Sequence, residues 1–346
     1  MESNELFGSR KMWHHLDRIA QWQNGKLPYP VAIQMDVTNR CQHACPNCQC
    51  SVVVGKAKIE LPVAIARRTI TEFAECGVKS ITFSGGGEPL LYGETPLLEL
   101  MHLAHGCDMD VALVTNGNAM TDFQGFASVC RWIRYSIDAH DAESFTRMHG
   151  LKAFDKVMEN LKSLCKKKYI TTTVGVGILT KPEFGREWYM NCCRTFAEIE
   201  GLDYIQFRPV VHWDKQPAPS DEYQCIEEAR NVYQIDKFFV VASEEKYSAL
   251  NLPHFGRTYT RCHASFLHCT IGADACVYIC CHGQGRPEYK LGDLHYASFA
   301  DIWNGDLAAS VRNTLNTLEC LPACHLHGQN CQLQRLLKTP LHKNFI

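Results

Sequence analysis

The stretch PVAIQMDVTNRCQHACPNCQC, residues 30–50, joins two signals that decide the architecture. Its first half alternates Val31, Ile33, Met35 and Val37 against Ala32, Gln34, Asp36 and Thr38. A period of two is that of a strand, and its polar face has to point at water or at a functional cavity. Directly after it, Cys41, Cys45, Cys48 and Cys50 fall within ten residues. Four thiols in one loop cannot all pack a core. They hold a metal, close disulfides or act as nucleophiles.

Composition narrows that choice. The chain has 346 residues, 46% of them hydrophobic, enough for one large domain and a smaller one. A formal net charge of −2 gives no basic field, so nucleic acid is not an expected partner. The compact run Lys166–Lys168 falls at the end of a predicted helix, where cations offset the dipole, and it reads as structural. The N-terminal sequence lacks a charged-then-apolar signal pattern, and no apolar run reaches spanning length. The expectation is a cytoplasmic protein with no membrane partner. Nineteen cysteines in a reducing compartment point to metal or redox chemistry where they cluster. Scattered ones such as Cys107, Cys130 and Cys165 read as small buried hydrophobes.

Outward from residues 30–50, strand and helix signals alternate. A helix carries Ala66, Ile70, Phe73 and Ala74 on one stripe and stops near Gly77. KSITFSGGGEP (79–89) is a strand running into a glycine loop, and Thr95 and Pro96 suggest the N-cap and first residue of the next helix. DVALVTNG, WIRYSIDA, ITTTVGVGIL and DYIQFRPV supply further strands, separated by helices around 123–130, 154–164 and up to about residue 199. Six β-α pairs predict an α/β fold with a parallel sheet and helical crossovers, followed from Cys262 by a short, cysteine-dense, hairpin-like segment. Sites in such folds form at the C-terminal strand ends. The proline-rich stretch HWDKQPAPSDEY (212–223) marks the boundary. The expected division is an N-terminal helix at 1–25, a core at 26–215, a connector at 216–258, an auxiliary domain at 259–335 and a tail at 336–346.

Cys41, Cys45 and Cys48 fit C-x3-C-x2-C. With Cys50 they could close a structural zinc site. Alternatively, three thiolates hold a [4Fe–4S] cluster and leave one iron open. Spacing alone leaves both open. Together with Gly85-Gly86-Gly87-Glu88-Pro89 after the second strand, the cysteine loop resembles that of the radical S-adenosylmethionine (SAM) superfamily over about residues 26–215. The resemblance implies a six-stranded partial (β/α)6 TIM barrel with a small C-terminal cysteine-rich domain of hairpin and helix, and SAM chelating the open iron and cleaved to a 5′-deoxyadenosyl radical, with an external electron donor such as a flavodoxin or ferredoxin. It also implies that Gly86, Gly87 and Glu88 receive the methionine amino group, and that Ser136 and Arg147 of SIDAHDAESFTR meet the ribose or carboxylate of SAM. One departure is Asn47, where that family usually has an aromatic residue. Asp138, Asn116 and Arg208 stand at predicted strand ends, where they contact substrate or only cap the strands.

Near the C-terminus, Cys262, Cys269, Cys276, Cys280 and Cys281 precede LGDLHYASFADIWNGD, and Cys320, Cys324 and Cys331 follow it. This field resembles the SPASM and twitch extensions of radical SAM enzymes, with a zinc ribbon as the alternative. The resemblance implies Cys262, Cys280, Cys320 and Cys324 as ligands of one auxiliary [4Fe–4S] cluster, closed and suited to electron transfer. Cys269, Cys276, Cys281 and Cys331 are left over, with Cys276 and Cys281 as candidate hydrogen-atom donors.

The functional expectation is therefore a radical SAM oxidoreductase that takes hydrogen from an unactivated carbon and passes an electron to the auxiliary cluster. Its substrate is expected to be a small polar metabolite such as a sugar, aminocyclitol or nucleoside, because the 40 residues before Cys41 read as one amphipathic helix (Trp13, Leu16, Ile19, Ala20) and a connector, without a leader-peptide domain. The alternatives are a peptide maturase working with a separate leader-binding partner, and a redox-neutral epimerase or decarboxylase. A non-enzymatic iron–sulfur or zinc protein has no use for a SAM loop.

Overall fold

The structure, a computed structural model, describes residues 8–54, 58–211 and 221–338. Seven strands run parallel in chain order: β1 (Ala32–Asp36), β2 (Ser80–Ser84), β3 (Asp110–Thr115), β4 (Cys130–Ser136), β5 (Thr173–Thr180), β6 (Tyr204–Pro209) and β7 (Phe239–Ala242). The alternation read in residues 30–38 is visible in burial over Ala32–Met35, after which Asp36, Val37 and Thr38 are all buried. Ile33 and Met35 lie against the helices and are inaccessible, while Gln34 faces the interior of the sheet's curve. The crossover helices turn the stripes expected of them to the sheet. Ala66, Ile70 and Phe73 are buried on Val63–Glu75, and Val157, Leu161 and Leu164 on Phe154–Lys167. Each such aliphatic side chain contributes roughly 1.5–3 kcal/mol by leaving water.

The chain-ordered run is one strand longer than the six expected, and an eighth parallel strand joins β1 from the C-terminal domain. Residues 216–258 are not a plain connector, since those described carry a helix (Glu222–Tyr233), β7 paired to β6, and a second helix (Glu244–Leu250). The short strand β7 lacks the length of a periodic signal. Residues 212–220 of the expected boundary, and 339–346 of the tail, lie outside the described residues. The helix expected to start at Thr95 begins at Glu94, with Gly93 before it at φ 106°, so Pro96 falls on the third helical position.

The small domain is joined to the barrel through its sheet. Strand β8 (His268–Ile271) pairs in parallel with β1, and an antiparallel meander adds β9 (Cys276–Tyr278) and β10 (Lys290–Asp293). The result is a ten-stranded sheet in the order β10-β9-β8-β1-β2-β3-β4-β5-β6-β7. Ala275, at φ 59°, makes the tight turn between β8 and β9. Trp303 seals this junction. It is fully buried, its indole donates to the Pro28 carbonyl at 3.0 Å, and the Arg312 guanidinium stacks 4.2 Å from its ring.

The N-terminal segment is a 3-10 turn (Ser9–His14) and a helix (Leu16–Gln23). Met12 and Ile19 pack with Ala264, Phe266 and Leu333, whereas Leu16 of the expected apolar stripe faces outward and Trp13 stands partly exposed at the rim of a cavity. Trp13 donates instead to Gln332 on the helix His327–Leu336, at 2.6 Å. Among the described residues no helix is long and apolar enough to cross a membrane.

Candidate functional site

The loop after β1 has no regular structure around its cysteines, and its shape comes from side chains and from a close backbone contact. Asn39 ties it twice, donating to the Val53 carbonyl at 3.1 Å and accepting from the Ile59 amide at 2.8 Å. The Glu88 amide donates to the Arg40 carbonyl at 2.7 Å. A Cβ on Gly87 would stand 2.3 Å from that carbonyl oxygen, so only glycine lets the two loops meet. Cys41, Cys45 and Cys48 come together here, half-buried and within electrostatic reach of one another. Burial raises all three thiols, Cys45 up to about 12, with Asp138 and the other two cysteines adding to the rise. Left alone they keep their protons, and a thiophilic metal group is what would displace them. Cys50 is turned away from that role in part, since its thiol donates to the Gly85 carbonyl at 2.9 Å.

Glu88 is buried and fully engaged at the back of this loop. Its Oε1 accepts from Thr115 Oγ1 at 2.5 Å and from the Leu90 amide at 3.2 Å, and its Oε2 from the Asn116 amide at 2.7 Å. Burial pushes its carboxyl up to about 7. Asn116 links this network to the thiols, with Nδ2 3.9 Å from Cys41 Sγ and Oδ1 accepting from Gln42 at 3.1 Å. Asp36 sits fully buried beneath the same loop, facing Gly86 and accepting from Gln34 at 3.0 Å, and burial pushes it too up to about 7.

Two residues of the SIDAHDAESFTR segment part company. Ser136 is the last residue of β4, half-buried at the strand end. Arg147 does not reach the site. It lies on the outer face of the helix Ala142–His149, mostly exposed, 3.8 Å from Glu143 one turn away. The residue this helix sends inward is His149, two positions on, where Gly150 turns the chain at φ 66°. His149 is buried. Its Nε2 donates to the Ile137 carbonyl at 2.7 Å, and its Nδ1 stands 3.3 Å from Cys45 Sγ and 3.1 Å from His43 Nδ1. Burial next to His149 lowers His43 to about 4. Asp138 supports the arrangement, with one oxygen 3.6 Å from His149 Nε2 and the other accepting from the Leu179 amide at 2.6 Å. The sequence signal for His149 was its place just before the glycine that ends an amphipathic helix, which Arg147 does not share.

The C-terminal cysteines form a second centre. Cys262, Cys280, Cys320 and Cys324 line one small enclosed cavity with Ile279, Leu315 and Leu326. Polar hydrogens face three of these sulfurs: Asn330 Nδ2 at 3.6 Å from Cys262, Tyr289 Oη at 4.0 Å from Cys320, and the Leu326 amide at 3.4 Å from Cys324. Apolar walls, four converging thiols and donors aimed at sulfur fit an iron–sulfur group. Asn330, which holds its place by accepting from the Ala264 amide at 3.0 Å, carried no signal in the sequence. The spare cysteines scatter. Cys269 is a core residue of β8, and Cys331 stands beside His327 at 3.6 Å. Cys276 does not line the main cavity, so it is not brought to a position to donate hydrogen there. Its thiol lies against Asp293 at 3.7 Å. Cys281 does line that cavity, 3.8 Å from His325 Nδ1.

A cavity of about 940 Å³ fills the barrel between the two centres. Cys50, Ser84 and Gly85 border it on one side, and Cys281, His282, Cys324 and His325 on the other. Arg134 and Arg208 rise from its floor, Lys246 enters from the helix after β7, and the N-terminal turn closes in with Ser9 and Trp13.

A parallel barrel with three thiols in the loop after its first strand and four more gathered in the C-terminal domain is the arrangement of a metalloprotein with two separate thiol centres. Sequence comparison makes this specific. The profile of the radical SAM superfamily matches residues 35–187, and that of an iron–sulfur cluster-binding SPASM domain matches residues 262–332. The chain carries a radical SAM domain followed by a C-terminal SPASM domain, and these imply SAM, a SAM-binding [4Fe–4S] cluster and auxiliary iron–sulfur chemistry. Among curated relatives, it is 33% identical over 93 residues to the PqqA peptide cyclase of Xanthomonas campestris pv. campestris, a match covering 27% of this chain and 24% of the relative. With the PqqA peptide cyclase of Ruegeria pomeroyi it shares 35% over 96 residues, 28% of this chain and 25% of the relative. The matched segment thus spans about a quarter of these relatives' length. In fold it is similar to SuiB of Streptococcus suis solved with S-adenosylmethionine, with a TM-score of 0.69 at 14% identity over 92% of this chain and 77% of SuiB.

Proposed function

We propose that the chain cleaves SAM reductively and oxidises a residue of a peptide held in the barrel cavity. Cys41, Cys45 and Cys48 are assigned to the SAM-binding cluster, and Cys262, Cys280, Cys320 and Cys324 to one auxiliary cluster. The observation that carries this reading is a cavity bordered on one side by Gly85 and by Cys50, next to the first group of thiols along the chain, and on the other by Cys324 of the second group. When bound, the cluster and SAM together supply a 5′-deoxyadenosyl radical. The chain's own part is to place and enclose. The loop at Gly85 to Glu88 fixes the SAM side of the cavity, and Cys324 belongs both to the cavity wall and to the second centre. Four thiolates leave no open coordination position there, which suits acceptance of an electron from a substrate carbon next to nitrogen or oxygen. An external donor such as a flavodoxin or ferredoxin supplies the first electron. The peptide is supported by the curated relatives, both PqqA peptide cyclases. A small polar metabolite is the second reading, supported by a cavity whose volume lies in the range of small-molecule pockets.

The test is turnover in deuterated solvent with short peptides encoded beside the gene, under reducing anaerobic conditions with SAM. The expected product is lighter by two hydrogens and carries no carbon-bound deuterium. A product of unchanged composition with one deuterium fixed on carbon overturns oxidation. Turnover of free metabolites alone overturns the peptide.

A further inference from the structure

Neighbouring strands β4, β5 and β6 carry an uneven set of side chains on their lumen face. Arg134 comes from β4 and Arg208 from β6, while β5 between them has Gly177. A Cβ on Gly177 would lie 3.1 Å from Arg208 Nη2 and 3.2 and 3.3 Å from Arg134 Cδ and Nε. Both arginines therefore lean over the glycine from opposite sides and bring their guanidinium groups together. Like charges do not converge in a low-dielectric interior unless something else holds them there. The protein supplies little for this. Arg134 Nη1 donates to Gln206 at 3.0 Å, and the Nε atoms of both arginines are inaccessible to solvent and without a partner.

Lys246 adds a third cation from the wall beside them. Burial and the two arginines lower it to about 8. The carboxylates nearby are otherwise occupied. Glu245 accepts from Ser9 Oγ at 2.5 Å, Glu244 lies 3.9 Å from Arg230, and Asp138 accepts from the Leu179 amide.

We propose that Arg134, Arg208 and Lys246 form a recognition site for a carboxylate group of the substrate. Two planar forks and a point charge around a glycine floor match a carboxylate, which takes paired N–H donors. The site belongs to substrate rather than to the methionine carboxylate of SAM because of where it stands. Lys246 is within electrostatic reach of Cys281 and Cys324, at the wall of the second centre, while Cys50 and Gly85 mark the SAM wall. A substrate anchored here by an acidic side chain or terminal carboxylate would present its neighbouring carbons between the two centres. This assignment rests on the proposed function only in taking the bound carboxylate to belong to the molecule oxidised.

The experiment is calorimetric titration of the cluster-reconstituted, SAM-loaded protein with glutarate, with its neutral counterpart glutaramide, and with inorganic phosphate. Glutarate is expected to bind and glutaramide not. Arg208→Gln and Lys246→Met are each expected to weaken glutarate about tenfold, the loss of one charge-assisted hydrogen bond. Lys246→Met keeps the buried stem, so it serves should Arg208→Gln fail to fold. Equal binding of glutaramide, or of glutarate to both variants, overturns the site. Tighter binding of phosphate overturns the carboxylate class. Glutarate binding that SAM abolishes assigns the cations to the methionine carboxylate and overturns the substrate role. SAM cleavage by the unaltered protein, measured in the same samples, reports on the proposed function separately. If cleavage is absent and glutarate still binds, that function fails while the anion site stands.

Discussion

At Arg147 and His149, two residues on one short helix, position along the chain decides which reaches the site. Successive helical residues differ in direction by about 100°, so a two-residue difference separates an exposed ion pair with Glu143 from a buried ring against Cys45. Arg147→Ala is expected to leave SAM affinity within about twofold, since surface ion pairs contribute only about 0–1 kcal/mol. Equilibrium binding of SAM to the reconstituted protein checks this. His149→Phe keeps the ring's volume but removes the contact to Cys45 Sγ. Since Nε2 carries the proton given to the Ile137 carbonyl, Nδ1 turns a lone pair toward that sulfur and opposes added negative charge on a cluster there, so the variant is expected to show a higher midpoint for the first cluster in a redox titration followed by electron paramagnetic resonance. An unchanged midpoint would make His149 a packing residue only. The cysteines were legible because thiols in a ten-residue loop have few roles, and the glycine-glutamate loop because its residue types are uncommon together. Asn330 and Lys246 were not legible, and His149 carried only its place before a glycine that ends a helix. A single histidine, asparagine or lysine becomes informative only when the fold brings it to sulfur or to two arginines.

The strands and helices were legible where they are long and periodic, as in Val63–Glu75 and Phe154–Lys167. Strand β7 was missed because four residues, Phe239–Ala242, show no period to read. The resemblance gave the segment around Trp303 only as a marker of an auxiliary domain. Its structural task is to join that domain to the barrel through the Pro28 carbonyl. Trp303→Ala is expected to cost roughly 3–5 kcal/mol, the range for removing a large buried aromatic side chain, read as a fall in melting temperature. A shift of only a degree or two would mean that the junction repacks. Between the centres, the elements separate cleanly. The combined variant Cys41→Ala, Cys45→Ala and Cys48→Ala is expected to retain about four irons, the content of one closed cluster, by iron and sulfide analysis. A folded variant without iron would remove the second assignment, and about eight irons would require ligands among the spare cysteines.

For the whole molecule, the expected division into barrel and appendage understated how the two are joined. Strand β1 is hydrogen-bonded on one side to β2 and on the other to β8, more than 230 residues further along. The first strand of the barrel is thus finished by almost the last strand of the chain. In a growing polypeptide the cysteine loop would be made early, yet the strand that aims it keeps one row of amides and carbonyls unpaired until residues near 268–271 arrive. Such an edge is open to pairing with any passing strand, and contacts so distant along the chain form slowly. Closing the free edge of the first strand and completing the second domain are for this reason one late folding event. A chain truncated before β8 is the form most exposed to aggregation.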